Sequence, residues 1–211
     1  MKKIIKYTLS LALICVALGI VLSLVHEITL KPIAVQEQLK KEQSCREVFP
    51  DAAAFEDVDL EASGLAGKLN SLLAEDGLEN ETIDVIALAS DESGNPLGAV
   101  YTVTTNEGYG GDITFTVGIQ NDGTINGISF LSIEETAGMG MRANTEEFKT
   151  QFSGIQAEKV AYSKTGASAE NEIDALSGAT VTTKAVTDGV NACLSAYRCF
   201  SGTVQDTVKG G

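Results

Sequence analysis

Tyr7 to Val25 is a run of 19 residues without a formal charge, rich in Leu, Ile, Val and Ala. As a helix, at about 1.5 Å per residue, it is long enough to cross a bilayer. Lys2, Lys3 and Lys6 precede it and His26-Glu27 follow it. This bias predicts a cytoplasmic N-terminus, with the remainder of the chain on the far side. A cleaved signal peptide is the main alternative, but its apolar region usually runs about 7–15 residues and ends in small residues. Ser23-Leu24-Val25-His26-Glu27 offers no such cleavage site. The expectation is a retained single-pass anchor in a cell (inner) membrane. Residues 1–30 form the cytoplasmic tip and anchor, 31–55 a juxtamembrane helix and connector, 56–200 the outer domain and 201–211 a flexible tail.

Charge narrows the partners. The chain carries a formal net charge of −14, and residues 31–211 alone hold 12 basic and 28 acidic side chains, net −16. Such a domain is repelled by nucleic acid and by anionic lipid surfaces. The four cysteines form no Cys-x-x-Cys, and the single His26 sits at the membrane edge. A zinc site or an iron–sulfur cluster held by this chain alone is therefore not expected. Cys193 and Cys199 are poor mutual disulfide partners on one helix, which favours Cys45 in any disulfide and leaves the pairing open.

The outer domain reads as α+β. Lys31 to Phe49 is a polar helix with Pro32 in its first turn, and a short helix is expected around Leu65 to Ala74, with loops through the rest of 56–82. Two hairpins follow. Ile83, Val85, Ala87 and Ala89 alternate, Asp91 to Pro96 turns, and Leu97, Ala99, Tyr101 and Val103 alternate again. Ile113, Phe115, Val117 and Ile119 share a second face, Asn121-Asp122-Gly123 turns, and Ile125 to Ile133 returns. The result is a twisted antiparallel sheet with helices to one side. No Gly-x-Gly-x-x-Gly joins a strand to a helix, so a dinucleotide fold is not supported.

Three segments carry the chemistry. Gly108-Tyr109-Gly110-Gly111 precedes the second hairpin, and its glycines signal close backbone approach to a ligand or strand. Glu134-Glu135-Thr136-Ala137-Gly138-Met139-Gly140 follows that hairpin; Gly138 and Gly140 permit unusual backbone angles, and Met139 offers a polarizable face to a flat ring. Asp174-Ala175-Leu176-Ser177-Gly178-Ala179-Thr180 leads into a helical pattern of Val181, Ala185, Val186, Val190, Cys193, Leu194 and Tyr197. A helix start offers unpaired N–H groups and the positive end of the dipole, so this segment suits a phosphate with a hydroxyl beside it. An ordinary Ser/Thr N-cap, contributing about 1 kcal/mol to the helix, is the plainer alternative.

Asp-x-x-Ser-Gly-Ala-Thr resembles the flavinylation motif of the FMN-binding domain family, and Glu-Thr-x-Gly-Met-Gly resembles a second loop of that family, with Ala137 where Pro is usual. Anchor, Gly-Tyr-Gly-Gly, hairpin and both motifs stand in family order. The resemblance implies FMN joined through its phosphate to the hydroxyl of Thr180, with Ser177, Gly178, Ala179, Thr182, Thr183 and Lys184 around the phosphate. It also implies that Glu135, Thr136, Gly138, Met139 and Gly140 lie against the flavin. Thr182 and Thr183 are the competing hydroxyls. Among the family's types, the chain is most similar to the G subunits of Rnf-type complexes. It is then an electron-relay subunit of a membrane complex that couples electron transfer between ferredoxin and NAD+ to Na+ or H+ translocation. Its partners are the other membrane subunits and, during maturation, a flavin transferase. The alternatives are a membrane-anchored flavin sensor, which would need a cytoplasmic output domain, and a stand-alone extracytoplasmic flavin reductase, which would need a proton donor.

Overall fold

The structure is a computed structural model. It describes the backbone of residues 2–61 and 63–208, and the side chains of these except 2, 3, 10, 30–34 and 202–208. The side chains of Lys2, Lys3 and Pro32, and residues 209–211 of the expected tail, lie outside the described set.

The chain forms two compact units, Met1–Glu42 and Gln43–Gly211. The first consists of most of α1 (Lys2–Val48), a helix that runs without interruption through the apolar run and the polar stretch after it. Its segment Ile4–Thr29 is long and apolar enough to cross a membrane. The second unit begins with the last residues of α1, from Gln43.

The second unit is built on a five-stranded antiparallel sheet in sequential order: β1 (Ala54–Val58), β2 (Glu81–Ser90), β3 (Pro96–Thr105), β4 (Ile113–Gln120) and β5 (Ile125–Ile133). The alternating segments form β2 to β5 as expected. β1 does not alternate in hydrophobicity; Ala-Phe-Glu-Asp-Val holds two adjacent acids, and it pairs as an edge strand, Ala54 opposite Ser90 through Val58 opposite Ile86. α2 (Leu65–Glu75) buries Leu65, Leu69 and Leu73, spaced by one helical turn. α3 (Glu146–Lys149) is a single turn continued by a 3-10 segment, Thr150–Phe152. β6 (Ala161–Ser163) and β7 (Glu172–Asp174) pair in parallel, and α4 (Thr180–Val208) closes the fold. α4 continues into the stretch from 201 that reads as a tail.

Helices cover both faces of the sheet, not one. On the α4 face, Tyr101, Val103, Phe115, Val117 and Ile119 join Ala185, Val186, Val190 and Cys193 in one core. On the other face, Cys45, Val48 and Phe49 from the end of α1 pack with Ala87, Ala89 and Val100. The alternation of β4 anticipates this, because Thr116 and Gly118 lie between its large residues. Gly118 leaves room for α1: a Cβ there would lie 3.0 Å from Val48 Cβ and 3.1 Å from Phe49 Cε2. Thr116 takes a hydroxyl–hydroxyl bond with Ser44 at 2.6 Å, fully buried. The apolar face of β4 predicted one covering layer, but the small and hydroxyl residues opposite serve a second one. Among the described residues no disulfide joins any of the four cysteines, Cys45 included.

Candidate flavin site

β7 delivers the chain to the start of α4 through a tight turn. Asp174 ends the strand, its N–H donating to Gln151 Oε1 at 2.7 Å and its carboxylate accepting from Ala167 N at 2.5 Å. Ala175 N then donates to Ser163 O at 2.8 Å. Gly178 has φ +79°, a left-handed conformation in which a side chain would be strained, so the turn needs glycine here. Ala179 is buried and its N–H closes the turn onto Leu176 O at 3.0 Å.

The hydroxyls of the first turn separate into two kinds. Thr183 is fully buried; its Oγ1 accepts from Leu176 N at 3.1 Å and donates to Ala179 O at 3.0 Å. It holds the turn against the helix from within. Thr182 is 1% exposed and faces Gly140, where an added Cβ would lie 2.6 Å from Thr182 Oγ1 and 2.7 Å from Glu135 Oε2. Thr180 is partly exposed, and Ser177 and Gly178 are exposed beside it. Among the described residues, the hydroxyl of Thr180 and the backbone N–H groups of Gly178, Thr180, Val181 and Thr182 have no protein partner. These are the open donors of a helix start.

The other two segments close on this turn. Gly138 also sits in the left-handed region, φ +77°, and allows the loop to fold so that Met139 N and Met141 N both donate to Thr136 O, at 3.1 and 3.2 Å. Met139 reaches the α4 turn, its Cε 3.8 Å from where a Gly178 Cβ would stand. Glu135 Oε1 accepts from Tyr109 N at 2.8 Å, and Gly110 packs so tightly on Glu134 O that a Cβ would come within 2.1 Å of it. The structure thus brings together residues 108–111, 134–140 and 177–182. Met139, Gly140, Glu135 and Thr182 touch this junction, while Thr136, Ala137 and Gly138 form its exposed rim. Tyr109 is 76% exposed, Val181 49% and Met139 47%. With Met141 and Leu88 they make up the exposed large apolar residues outside α1 among the described side chains, so four of the five gather at one place.

Lys184 is turned to carboxylates: its Nζ bonds Glu107 Oε2 at 2.5 Å and Asp188 Oδ2 at 2.7 Å. Those two bonds raise its pKa above the ordinary lysine value, and the Lys184 bond lowers that of Glu107. The charge expected to balance a phosphate is here engaged by Glu107 and Asp188, neither of which the motifs pointed to. The i, i+4 spacing of Lys184 and Asp188 was the available signal. A cavity of about 250 Å³ lined by Arg142, Gln151, Asp174 and Leu176 adjoins the motif. A larger one, about 510 Å³ and walled by Gly98, Tyr101, Ile119 and Phe200, shares no residue with the three segments.

The family model of the FMN-binding domain matches residues 108–195, from the first glycine segment through most of α4. The chain is 32% identical over 204 residues to the G subunit of the Na(+)-translocating ferredoxin:NAD(+) oxidoreductase complex of Acetobacterium woodii, covering 95% of this chain and 94% of that one. It is 31% identical over 196 residues to the G subunit of the proton-translocating ferredoxin:NAD(+) oxidoreductase complex of Clostridium ljungdahlii, covering 92% of each. The crystal structure of the C subunit of the Na(+)-translocating NADH-quinone reductase from Parabacteroides distasonis shares the fold, with a TM-score of 0.50 and 20% identity over 71% of this chain and 78% of that one. With this identity sustained over nearly its whole length, the chain belongs to the family of G subunits of ion-translocating ferredoxin:NAD(+) oxidoreductase complexes and carries that family's FMN-binding domain.

Proposed function

We propose that this chain is the flavin-bearing relay subunit of a membrane-bound ferredoxin:NAD+ oxidoreductase complex, and that Thr180 carries FMN through a phosphoester. One observation carries the assignment of Thr180. Of the three threonines at the start of α4, it alone combines exposure with an uncommitted hydroxyl, whereas Thr182 and Thr183 are buried.

The residues fit the group. A phosphate on Thr180 meets the unpaired N–H groups of Gly178, Thr180, Val181 and Thr182 at the positive end of a helix 29 residues long. Ser177 supplies a further exposed hydroxyl beside it. Tyr109, Met139 and Val181 offer apolar surface to the ring, and Glu135 holds the 108–111 segment in place through Tyr109 N. Bound FMN supplies one-electron transfer; the protein fixes its position and surroundings. Covalent attachment keeps the cofactor on a domain that, by the lysine bias of the N-terminus, faces away from the cytoplasm. A flavin transferase then acts on the chain during maturation, and the other membrane subunits supply and remove the electrons.

The test is in-gel flavin fluorescence of the denatured protein, produced in its native host or together with a flavin transferase. The wild type should fluoresce and Thr180→Val should be dark. A dark wild-type band from a host whose other covalent flavoproteins fluoresce would overturn the reading.

A further inference from the structure

A second cluster lies at the base of the same helix face but serves no role in the flavin reading. Glu81 opens β2 opposite Thr105, Glu107 follows the end of β3, and Asp188 lies two turns along α4. One carboxylate oxygen from each lies within 4.8 Å of the other two. Two oxygens on opposite sides of one ion stand about 4.8 Å apart at the roughly 2.4 Å bond length of hard divalent cations such as Ca2+, so three oxygens within that spacing need only a small inward adjustment to share one ion. Glu81 is 4% exposed, and its Oε2 is buried without a hydrogen-bond partner. A buried carboxylate oxygen left without donor or cation is costly, and few persist in native proteins.

The other groups facing the cluster are few. Thr105 hydrogen-bonds Glu81, Asn80 Nδ2 donates to Glu107 Oε1 at 3.2 Å, and Lys184 Nζ bonds Glu107 and Asp188. Three carboxylates and one ammonium leave two negative charges in excess. Lys184 satisfies the outer pair and leaves Glu81 unserved. Its side chain is 48% exposed, so it can swing into solvent without breaking the core. Burial, with Glu107 and Asp188 adding to it and the Thr105 bond opposing, raises the Glu81 carboxyl to about 7.

We propose that Glu81, Glu107 and Asp188 form a binding site for one divalent cation of the hard, oxygen-seeking class, with Lys184 as a built-in competitor for it. Glu81 is the buried ligand, and Glu107 and Asp188 close the site from the partly exposed side, where water completes the coordination. The Lys184 ammonium and the ion exclude each other, so removing the ammonium tightens the site. The proposal does not depend on the flavin assignment.

Mn2+ binding to the flavin-free, detergent-purified full chain, followed by electron paramagnetic resonance, tests it. Lys184→Met should bind one Mn2+ at least tenfold more tightly than the wild type. Glu81→Gln, combined with Lys184→Met, should lose at least tenfold of that affinity, and Asp188→Asn combined in the same way should do likewise from the exposed side. Circular dichroism confirms that each variant is folded. Should the Glu81 variant not fold, the Asp188 variant alone carries the decision. Absence of a tight site in Lys184→Met, or affinity unchanged by the carboxylate substitutions, overturns the proposal, since general attraction to an acidic surface would survive all of them.

Discussion

The seam between α1 and the sheet and the start of α4 are both polar, and they spend their polarity differently. At the seam, Ser44 bonds Thr116, Ser129 Oγ donates to Glu47 at 2.7 Å, Lys149 bonds Glu47, and Asn126 bonds Val48 O. Ser44, Thr116, Ser129 and Lys149 are buried, and these groups answer one another. At α4 the inner hydroxyl, Thr183, is saturated in the same way, but one turn earlier the donors point outward with nothing to meet them. Saturated polarity holds the fold in register; unsaturated polarity, left on a rigid helix end, is available to a ligand. Substitutions at the seam should therefore cost stability and leave the flavin, and substitutions at the open turn should do the reverse.

The largest effect belongs to Thr180→Val. Covalent flavin should fall at least a hundredfold while the melting temperature moves little, because the lost hydroxyl makes no protein contact; flavin fluorescence and a thermal melt run on one preparation check both halves. Phe49→Ala sits at the opposite pole. Phe49 is 3% exposed and fills the space over Gly98 and Gly118, so its truncation should cost about 3–4 kcal/mol by denaturant unfolding. Flavin should remain attached in the fraction that folds. A seam variant that stayed fully stable, or lost its flavin while folded, would break the comparison.

Thr183→Val lies between the two, on the motif by sequence but with the seam by chemistry. It leaves the buried Leu176 N–H without its acceptor, which should cost about 1–3 kcal/mol, and FMN should still be attached. Measuring unfolding and flavin content of this one variant sharpens the boundary between saturated and open polarity to a single helical turn.

The smallest effect is a pH dependence at Glu81. Its folded pKa, about 7, lies above the ordinary carboxylate value of 4.5, so the folded state holds the proton more tightly than the unfolded one. Stability from this group is therefore full below pH 4.5 and is lost as pH rises through 7. Glu81→Gln, which keeps a neutral side chain, should stabilise the protein at pH 8 relative to pH 5, by on the order of 1–2 kcal/mol in the presence of a chelator. An equal effect at both pH values would show that Glu81 does not titrate in this range.

Much of this was legible in the residues. Period-two alternation marked β2 to β5, the apolar run marked the helix long enough to cross a membrane, and the glycine motifs marked the segments that meet at the open turn. The missing parts share a cause: their meaning depends on partners distant in sequence. β1 is acidic and becomes a strand only because the edge of β2 is free. The second covering layer depends on Ser44 finding Thr116 across 72 positions. In the residues only the motif singles out Thr180 from the competing hydroxyls of Thr182 and Thr183; burial and the bonds of Thr183 Oγ1 separate them physically. Lys184 read as a phosphate partner because Glu107 is 77 positions away.

Proteolytic peptide mapping by mass spectrometry, on wild-type protein produced with a flavin transferase, tests most directly whether the open hydroxyl at the head of α4, and not its buried neighbours, is the point of attachment. The mass of FMN, less one water, should fall on Thr180 in fragmentation of the peptide spanning residues 174–184. FMN localised to Thr182 or Thr183 would contradict this assignment.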